Sequence, residues 1–583
     1  MRTRINLESY LILTFFTIIY LLWLFKTYSG NYHSAYFTLW DYNLDNNKFA
    51  NDYFIQNTNQ FKISIIWTLH KFLKIDLNND LIGFLIHLIF SSLSGYFLFM
   101  IITKNFKIKS FNEKIVILFS ILTVGNVLIF ANKVSWVINH TATPTYFAHS
   151  MMIIFVYFYL NSKNQLILLI LSSFLILSQL RVAWFPIGVC IFHSMLFSKK
   201  LIERSWIIGP IFTLLYLFNL TDQTSSYDER IMILKNVLSH SKGESDFNLQ
   251  SYFRQTLLIF SFFFNYYFII FFEKRKILKT KFIIFLKTLL FLSIFVFAFA
   301  KFYTYKGYLL YPFPEMVALS FTRGLTLYEL FFWLLLATYI YFQNINLLFK
   351  SVLYLGIFYI PITWWGINEF ELRIFYGLFI FCLIYLTYAI IKKKYYKKLF
   401  IKNKFFPIFF FIIFLSPGVA FLAYKKAQNF NFYSFKLISK WTSPNFLNEN
   451  EKLNVIIKLK KCKDFILYDY EKLSASNLIA KKSQYIGSKA FNHFDLDLAK
   501  IHEDRLKIHR DVLTSINEKK ALKRETSNKL RKDNVYIVAN LKDMKTFVDE
   551  EKIELSKNYY IVFFNNKYDN NKDTLITNCL KNN

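Results

Sequence analysis

Residues 1–25 read MRTRINLESYLILTFFTIIYLLWLF, with two arginines placed before a long apolar run. The run approaches the roughly 20 residues that an α-helix needs to cross a bilayer. No small-residue cleavage site follows it, so the segment lacks the pattern of a removed signal peptide. We therefore predict a retained first helix that enters a membrane, with Arg2 and Arg4 on its cytoplasmic side.

Apolar runs of similar length recur along the chain. Of its 583 residues, 55% are hydrophobic and 20% are aromatic, and the mean hydropathy is +0.30. We therefore predict a polytopic α-helical membrane protein with about thirteen transmembrane helices. The predicted spans cover residues 10–26, 81–103, 114–131, 144–161, 164–180, 182–198, 205–220, 255–273, 282–300, 324–342, 347–366, 374–391 and 405–424.

The distribution of charge predicts the orientation of these spans. A net charge of +32 would suggest nucleic-acid binding in a soluble protein, but here the basic residues lie mainly in short connections between apolar runs. We therefore expect no nucleic-acid partner. The basic connections fall on the side of the N-terminus, at 104–114, 161–164, 198–204, 273–281 and 392–398. By the positive-inside rule that side is cytoplasmic, and the longer, more acidic connections are outside.

The last part of the chain has a different composition. An odd number of spans would put residues 425–583 outside the cytoplasm, after a transmembrane region at 1–424 whose acidic first outer loop is 27–80. Short apolar runs at 464–470, 534–541 and 558–565 predict strands, and 497–522 predicts a helix. We therefore predict a small C-terminal extracytoplasmic α/β domain.

The cysteines leave one question open in that region. Among the four cysteines, only Cys462 and Cys579 share a polar part of the chain. They could pair if that part is extracytoplasmic, and two unpaired buried thiols are an equally good interpretation.

The first outer loop, LWDYNLDNNKFANDYFIQNTNQF at 39–61, gathers Asp41, Asp45 and Asp52 beside the first apolar run. A carboxylate there could act as general base toward an acceptor hydroxyl, or bind a divalent cation such as Mg²⁺ or Mn²⁺. The alternative is a solvated loop in which aspartates cap turns or helix starts. Residues 57–73 follow with helical apolar spacing and predict a helix on the membrane surface.

Basic side chains at span ends are candidates for substrate binding. Arg181, Arg323 and Arg373 all fall at the predicted outer ends of spans, where guanidinium groups could hold a lipid phosphate. Each could instead extend to the interface or pair with a nearby carboxylate. His140 lies at the start of a span and could donate a hydrogen bond to a substrate or carry a proton, as could His149, although a structural role is the plainer interpretation.

The layout and several short patches resemble a known class of enzymes. The patches are DYNLDNNKFANDYF at 41–54, TATPTYFAHSMMI at 141–153, SFTRGL at 320–325 and FNHFDLDLAKIHEDRLK at 491–507. With the predicted topology, they resemble the GT-C class of integral-membrane glycosyltransferases, and within it a bacterial family whose first loop contains an Asp segment ending in NDYF.

The resemblance implies an activity. GT-C enzymes move a sugar from a polyprenyl-phosphate or polyprenyl-diphosphate carrier to an acceptor at the outer face, with a first-loop carboxylate as catalytic residue. By this resemblance the role falls to Asp52 or Asp41, with Asp45 next, in a bacterial cytoplasmic membrane. The chain has neither an adjacent acidic pair in this loop nor a WWDYG-like motif in its tail, so metal dependence stays open.

Three alternatives remain. A lipid-linked glycan flippase would use the same arginines, but we find no clear internal repeat. A polysaccharide polymerase or ligase would use a large outer loop such as 221–254, with Arg230, His240 and Arg254. A non-catalytic assembly protein would not depend on the aspartates.

Overall fold

The computed structural model describes the chain in separate stretches. They are residues 7–27, 49–57, 80–107, 144–162, 164–197, 201–219, 249–305, 325–342, 464–470, 482–486 and 496–564, with isolated positions that include Asp45, Cys462 and Cys579. The predicted boundary between regions at residue 424 lies outside them.

The N-terminal part is helical, as its apolar composition predicts. The helices are α1 (Leu7–Thr27), α2 (Tyr53–Asn57), α3 (Asp80–Asn105), α4 (Pro144–Asn161), α5 (Gln165–Ser178), α6 (Leu180–Phe197), α7 (Ile208–Asn219), α8 (Leu249–Lys274), α9 (Thr280–Tyr305) and α10 (Thr326–Tyr341). A 3₁₀ helix, Leu201–Ile207, precedes α7.

The predicted fold class, a polytopic membrane protein with about thirteen transmembrane helices and a small extracytoplasmic α/β domain, is wrong. Among the described residues only three helices are long and apolar enough to cross a membrane: Phe84–Asn105, Leu180–Phe197 and Thr280–Phe299. Shorter apolar helical stretches, of 10–17 described residues, lie within α1, α4, α5 and α10, at Ser9–Ile18, Phe147–Asn161, Gln165–Ser178 and Thr326–Tyr341.

The error has a physical cause. Hydropathy reports composition, whereas crossing a bilayer requires one uninterrupted helix of roughly 20 residues. The predicted span at 205–220, for example, is divided between a 3₁₀ helix and the 12-residue α7. The predicted spans at 347–366, 374–391 and 405–424 lie outside the described residues. Counting spans therefore no longer assigns the C-terminal part to one side of a membrane.

Helix α1 packs closely on α3 around Gly95. A β-carbon at Gly95 would lie 2.6 Å from Cδ1 of Phe16 and 3.0 Å from Cε2 of Tyr20. Both rings are fully buried and stack with centroids 5.9 Å apart. The absence of a side chain at Gly95 is thus what lets these aromatic rings lie against α3.

Helices α4, α6 and α9 are tied by buried polar groups. Nε2 of His193 lies 3.1 Å from the carbonyl oxygen of Lys281, and its Nδ1 lies 2.5 Å from the hydroxyl of Tyr159. Because a carbonyl can only accept, Nε2 carries the proton and Nδ1 accepts from the tyrosine. Lys281 Nζ donates to the carbonyl oxygens of Tyr159 and Leu160 at 3.1 and 3.0 Å, satisfying the end of α4.

The C-terminal part contains a five-stranded mixed sheet of order β2-β1-β3-β5-β4. Its strands are β1 (Ile466–Tyr468), β2 (Ser483–Gln484), β3 (Val535–Asn540), β4 (Glu551–Ser556) and β5 (Tyr559–Phe564), with helices α11 (Leu496–Glu518) and α12 (Arg524–Lys532) and a 3₁₀ helix, Leu541–Phe547. β1 is parallel to β2 and β3, and β5 is antiparallel to β3 and β4. This confirms the three predicted strands and the main predicted helix.

Both faces of the central strand β3 are covered. Tyr536 and Val538 pack on one face with Leu467, while Val535 and Ile537 belong to the other, which α11 covers through Val512. Alternate residues of a strand point to opposite faces, so a continuous apolar run is what a strand buried on both sides requires.

Cys462 and Cys579 form a disulfide with their Cα atoms 5.8 Å apart, across 117 residues of chain. The pairing that the sequence left open is therefore the one that the structure has. Cys190 is free and buried in α6.

Candidate functional site

The first-loop segment at 49–57 folds as a turn followed by the short helix α2. Asp52 is the residue before this helix, and its Oδ1 accepts the backbone N–H of Ile55 at 3.1 Å. Its own N–H donates to the carbonyl oxygen of Phe49 at 3.0 Å, and the side chain is 2% exposed. Asp52 is thus an N-cap, which satisfies a backbone donor that the helix itself leaves unpaired.

Asn51 joins this segment to the C-terminal sheet. Its backbone N–H donates to Oδ2 of Asp464 at 2.9 Å, and its side-chain Nδ2 donates to the same oxygen at 3.1 Å and to the Asp464 carbonyl oxygen at 3.0 Å. Ser483 also donates to Asp464, through its N–H at 2.8 Å and through its hydroxyl. Hydrogen bonds to a carboxylate are among the stronger ones, so Asp464 fixes both β2 and the first loop.

Phe54 provides the apolar half of the same contact. Its buried ring lies edge-on to His502, with centroids 5.7 Å apart, and the guanidinium of Arg505 lies 5.3 Å from the ring centre. Arg505 donates to the carbonyl oxygen of Tyr485 at 2.6 Å and lies 3.8 Å from Asp533. Because these contacts fix the guanidinium of Arg505, it can form a favourable cation–π interaction with the ring of Phe54. We call these contacts of Asn51 and Phe54 the loop clamp.

Two titratable groups at or beside the loop clamp have altered proton affinities. Burial lowers the pKa of Lys482 to about 8, against the opposing effect of Asp464, and its Nζ donates to the carbonyl oxygen of Cys462. Burial, with the positive charge of Arg505, lowers the pKa of His502 to about 4. At neutral pH His502 is therefore neutral, and its ring packs on Phe54 without adding charge beside Arg505.

The loop clamp can position the acidic loop, and the carboxylates of Asp52 and Asp464 already accept hydrogen bonds from protein donors. Among the described residues no group of three or more His, Cys, Asp or Glu side chains could hold a metal ion. The expectation of a Mg²⁺ or Mn²⁺ site thus stays a prediction.

Only some of the other predicted site residues lie within the described part of the chain. Asp45 is partly buried, and Arg181 lies partly buried on the first turn of α6. His149 is buried in α4. Outside the described residues lie Asp41, Arg323, Arg373 and His140, as do Arg230 and His240 of the alternative loop and nearly all of the predicted surface helix at 57–73. The structure therefore brings Asn51 and Phe54, the neighbours of Asp52, to the C-terminal part, and the grouping of Arg181, Arg323 and Arg373 stays a prediction.

Sequence reasoning missed several charged residues. Asp464 and Arg505 hold the loop clamp, yet nothing in their spacing connects them to Asn51. Glu329 is fully buried in α10, where its Oε1 accepts from the Nε1 of Trp333 at 3.2 Å. The sequence does carry a signal for Glu329, because a carboxylate within an apolar run is itself a candidate functional group.

Comparison of the chain with protein-family models, with curated proteins and with solved structures finds no match. The resemblance to GT-C enzymes therefore rests on the residues quoted above.

Proposed function

We propose that this chain is a bacterial membrane glycosyltransferase, a hexosyl- or pentosyltransferase, that moves a sugar from a polyprenyl-phosphate-linked donor to a glycan or lipid acceptor at the outer face of the cytoplasmic membrane. The observation that carries the proposal is the loop clamp. It ties the acidic first loop to a region stabilised by a disulfide, and disulfides persist mainly outside the cytoplasm.

The proposed reaction is a direct displacement at the anomeric carbon. A first-loop aspartate takes the proton of the acceptor hydroxyl, whose oxygen forms the new glycosidic bond. The bond between the anomeric carbon and the phosphate oxygen breaks, and its electron pair leaves on the lipid phosphate. In the proposal Arg181, Arg323 and Arg373, with His140, bind that phosphate and offset its charge.

The capping role of Asp52 bears on which aspartate is the base. Its Oδ1 already accepts from Ile55 and the side chain is buried, so capping explains this residue without catalysis. Asp45, which is less buried, and Asp41 then become the stronger candidates for the base. Asparagine caps helices as well as aspartate does, whereas alanine does not. Comparing Asp52→Asn with Asp52→Ala therefore separates capping from base catalysis.

The test measures protein level in membranes, surface glycans and lipid-linked sugars for Asp41→Asn, Asp45→Asn, Asp52→Asn and Asp52→Ala. Losing the base should reduce transfer roughly 100- to 10,000-fold, with donor accumulating and protein level unchanged. If Asp52 only caps, Asp52→Asn behaves as wild type and Asp52→Ala lowers the protein level. The first-loop mechanism is wrong if all three Asn variants keep normal glycans while Arg323→Ala or Arg230→Ala does not.

A further inference from the structure

A basic face lies at the turn between α11 and α12, away from the loop clamp in sequence. Residues 519–532 contain seven Lys or Arg residues and a single Glu. Five exposed basic residues, Lys519, Lys520, Lys523, Arg524 and Lys545, are here called the basic face. This concentration of one sign of charge is far greater than in the surrounding sheet.

The backbone brings the two parts of this face together. The N–H of Leu522 donates to the carbonyl oxygen of Thr546 at 3.1 Å, so the turn carrying Lys523 lies beside the 3₁₀ helix carrying Lys545. Lys519 directly follows α11 and has the left-handed conformation, with φ of 52°, which reverses the chain there.

The charges of this face are only weakly compensated. Lys520 lies 3.0 Å from Glu518, but both side chains are mostly exposed, so the pair is screened by water. Within the described part of the chain, Lys519, Lys523, Arg524 and Lys545 form no ion pair. By contrast, Lys507 on α11 is paired with Asp504 at 3.2 Å.

Two exposed apolar side chains lie at the ends of the 3₁₀ helix that carries Lys545. Val548, directly after the 3₁₀ helix, is 61% exposed, and Leu541 at its start is 49% exposed. Exposed aliphatic groups on the same short segment as Lys542 and Lys545 match the interface of an anionic bilayer, where the charges meet head groups and the apolar groups enter the acyl boundary. A soluble acidic polymer would match the lysines and leave Val548 unexplained.

We infer that the basic face docks on the anionic lipid surface of the membrane and holds the C-terminal sheet against it. The inference rests on the membrane location within the proposed function and requires no sugar transfer. Its failure is therefore distinguishable from failure of the enzymatic proposal.

The test places a fluorophore on Val548→Cys in the full chain, reconstituted in nanodiscs that contain a lipid-borne quencher. One set contains phosphatidylcholine alone and the other includes phosphatidylglycerol. We expect strong quenching only with phosphatidylglycerol, and its loss at high salt or in Lys519→Glu/Lys523→Glu/Lys545→Glu. Lys523→Glu alone should weaken quenching more than the matched Lys507→Glu. Trypsin cleavage at 519–524 in the unlabelled chain should slow in the same nanodiscs.

Three results would overturn the inference. They are equal quenching in both lipid sets, no quenching and no slowing of trypsin in either, and protection of 519–524 by soluble polyphosphate but not by phosphatidylglycerol. The last result would identify an anionic polymer as the partner instead.

Discussion

Gly95 provides a test of packing at the level of one residue. In Gly95→Ala the new β-carbon would lie 2.6 Å from the Phe16 ring, which is confined by Tyr20 and by Phe99, 6.5 Å away. We expect a loss of about 1–3 kcal/mol in unfolding free energy. Thermal unfolding of the purified chain, followed by circular dichroism, measures it.

Gly188 is the matched control, since no heavy atom lies within 4 Å of the β-carbon that it would gain. Gly188→Ala should therefore be neutral or stabilise α6 by up to about 1 kcal/mol. Equal effects of the two substitutions would contradict the packing described for Gly95.

Asn51 tests the loop clamp. Asn51→Ala removes the two Nδ2 hydrogen bonds to Asp464 and should weaken docking of the segment by about 1–2 kcal/mol. The expected readout is faster hydrogen exchange at residues 49–57. In the control, Asn57→Ala, the lost Nδ2 bond is to Tyr53 within the same helix, so β2 and Asp464 should keep wild-type exchange. Unchanged exchange in Asn51→Ala would show that the clamp holds nothing.

At the scale of elements, α11 makes the C-terminal part sensitive to acid. The pKa of His502 is about 4 in the folded chain and 6.5 ordinarily, so between these values the unfolded state binds more protons. The contribution of neutral His502 to the unfolding free energy is thus fully present above pH 6.5 and is lost as the pH drops toward 4. We expect a loss of about 3 kcal/mol, measured by urea unfolding across this range.

His502→Phe keeps an aromatic ring against Phe54 and removes the titration. The variant should show a shallower decline below pH 6.5, with a remainder from His509, whose pKa burial also lowers. A decline as steep as that of the wild type would mean that other groups bind the protons.

The elements also show what the sequence can predict. Runs such as NVYIVANL predict β3 correctly because a strand buried on both faces must be apolar throughout. The edge strand β4, EKIELS, was missed because its exposed positions carry charges, and β2 has only two residues. The predicted spans at 81–103, 182–198 and 282–300 match helices that are long and apolar enough to cross a membrane, whereas the count of thirteen is wrong because composition alone does not give the length of a helix.

The loop clamp could not be predicted for a different reason. The NDYF segment is part of the resemblance to GT-C enzymes. Of the two roles that the sequence allows for the first-loop aspartates, helix capping is the one observed for Asp52. The partners Asp464 and Arg505 are specified only by the three-dimensional fold. No local spacing rule relates them to Asn51 or Phe54.

At the scale of the whole molecule, the redox state of the cysteine pair tests the proposed extracytoplasmic location of the C-terminal part. We expect Cys462 and Cys579 to resist alkylation in the unfolded chain until a reductant is added, while Cys190 reacts on unfolding alone. Cys462→Ser should cost about 2–5 kcal/mol in the C-terminal part, whereas Cys190→Ala leaves that part intact. Mass spectrometry counts the alkylated thiols; alkylation of all four cysteines without reductant, Cys462 and Cys579 included, in cells trapped in acid would place this part in a reducing compartment.

The loop clamp joins residues 413 positions apart in the chain. A ribosome adding about 5–20 residues per second needs roughly 20 to 80 s to supply Asp464 after Asn51. Throughout that interval the acidic loop has been synthesised but its docking partner has not. The docked arrangement of the first loop thus forms only after Asp464 has been synthesised, and a product truncated before Asp464 would leave the first loop without this support.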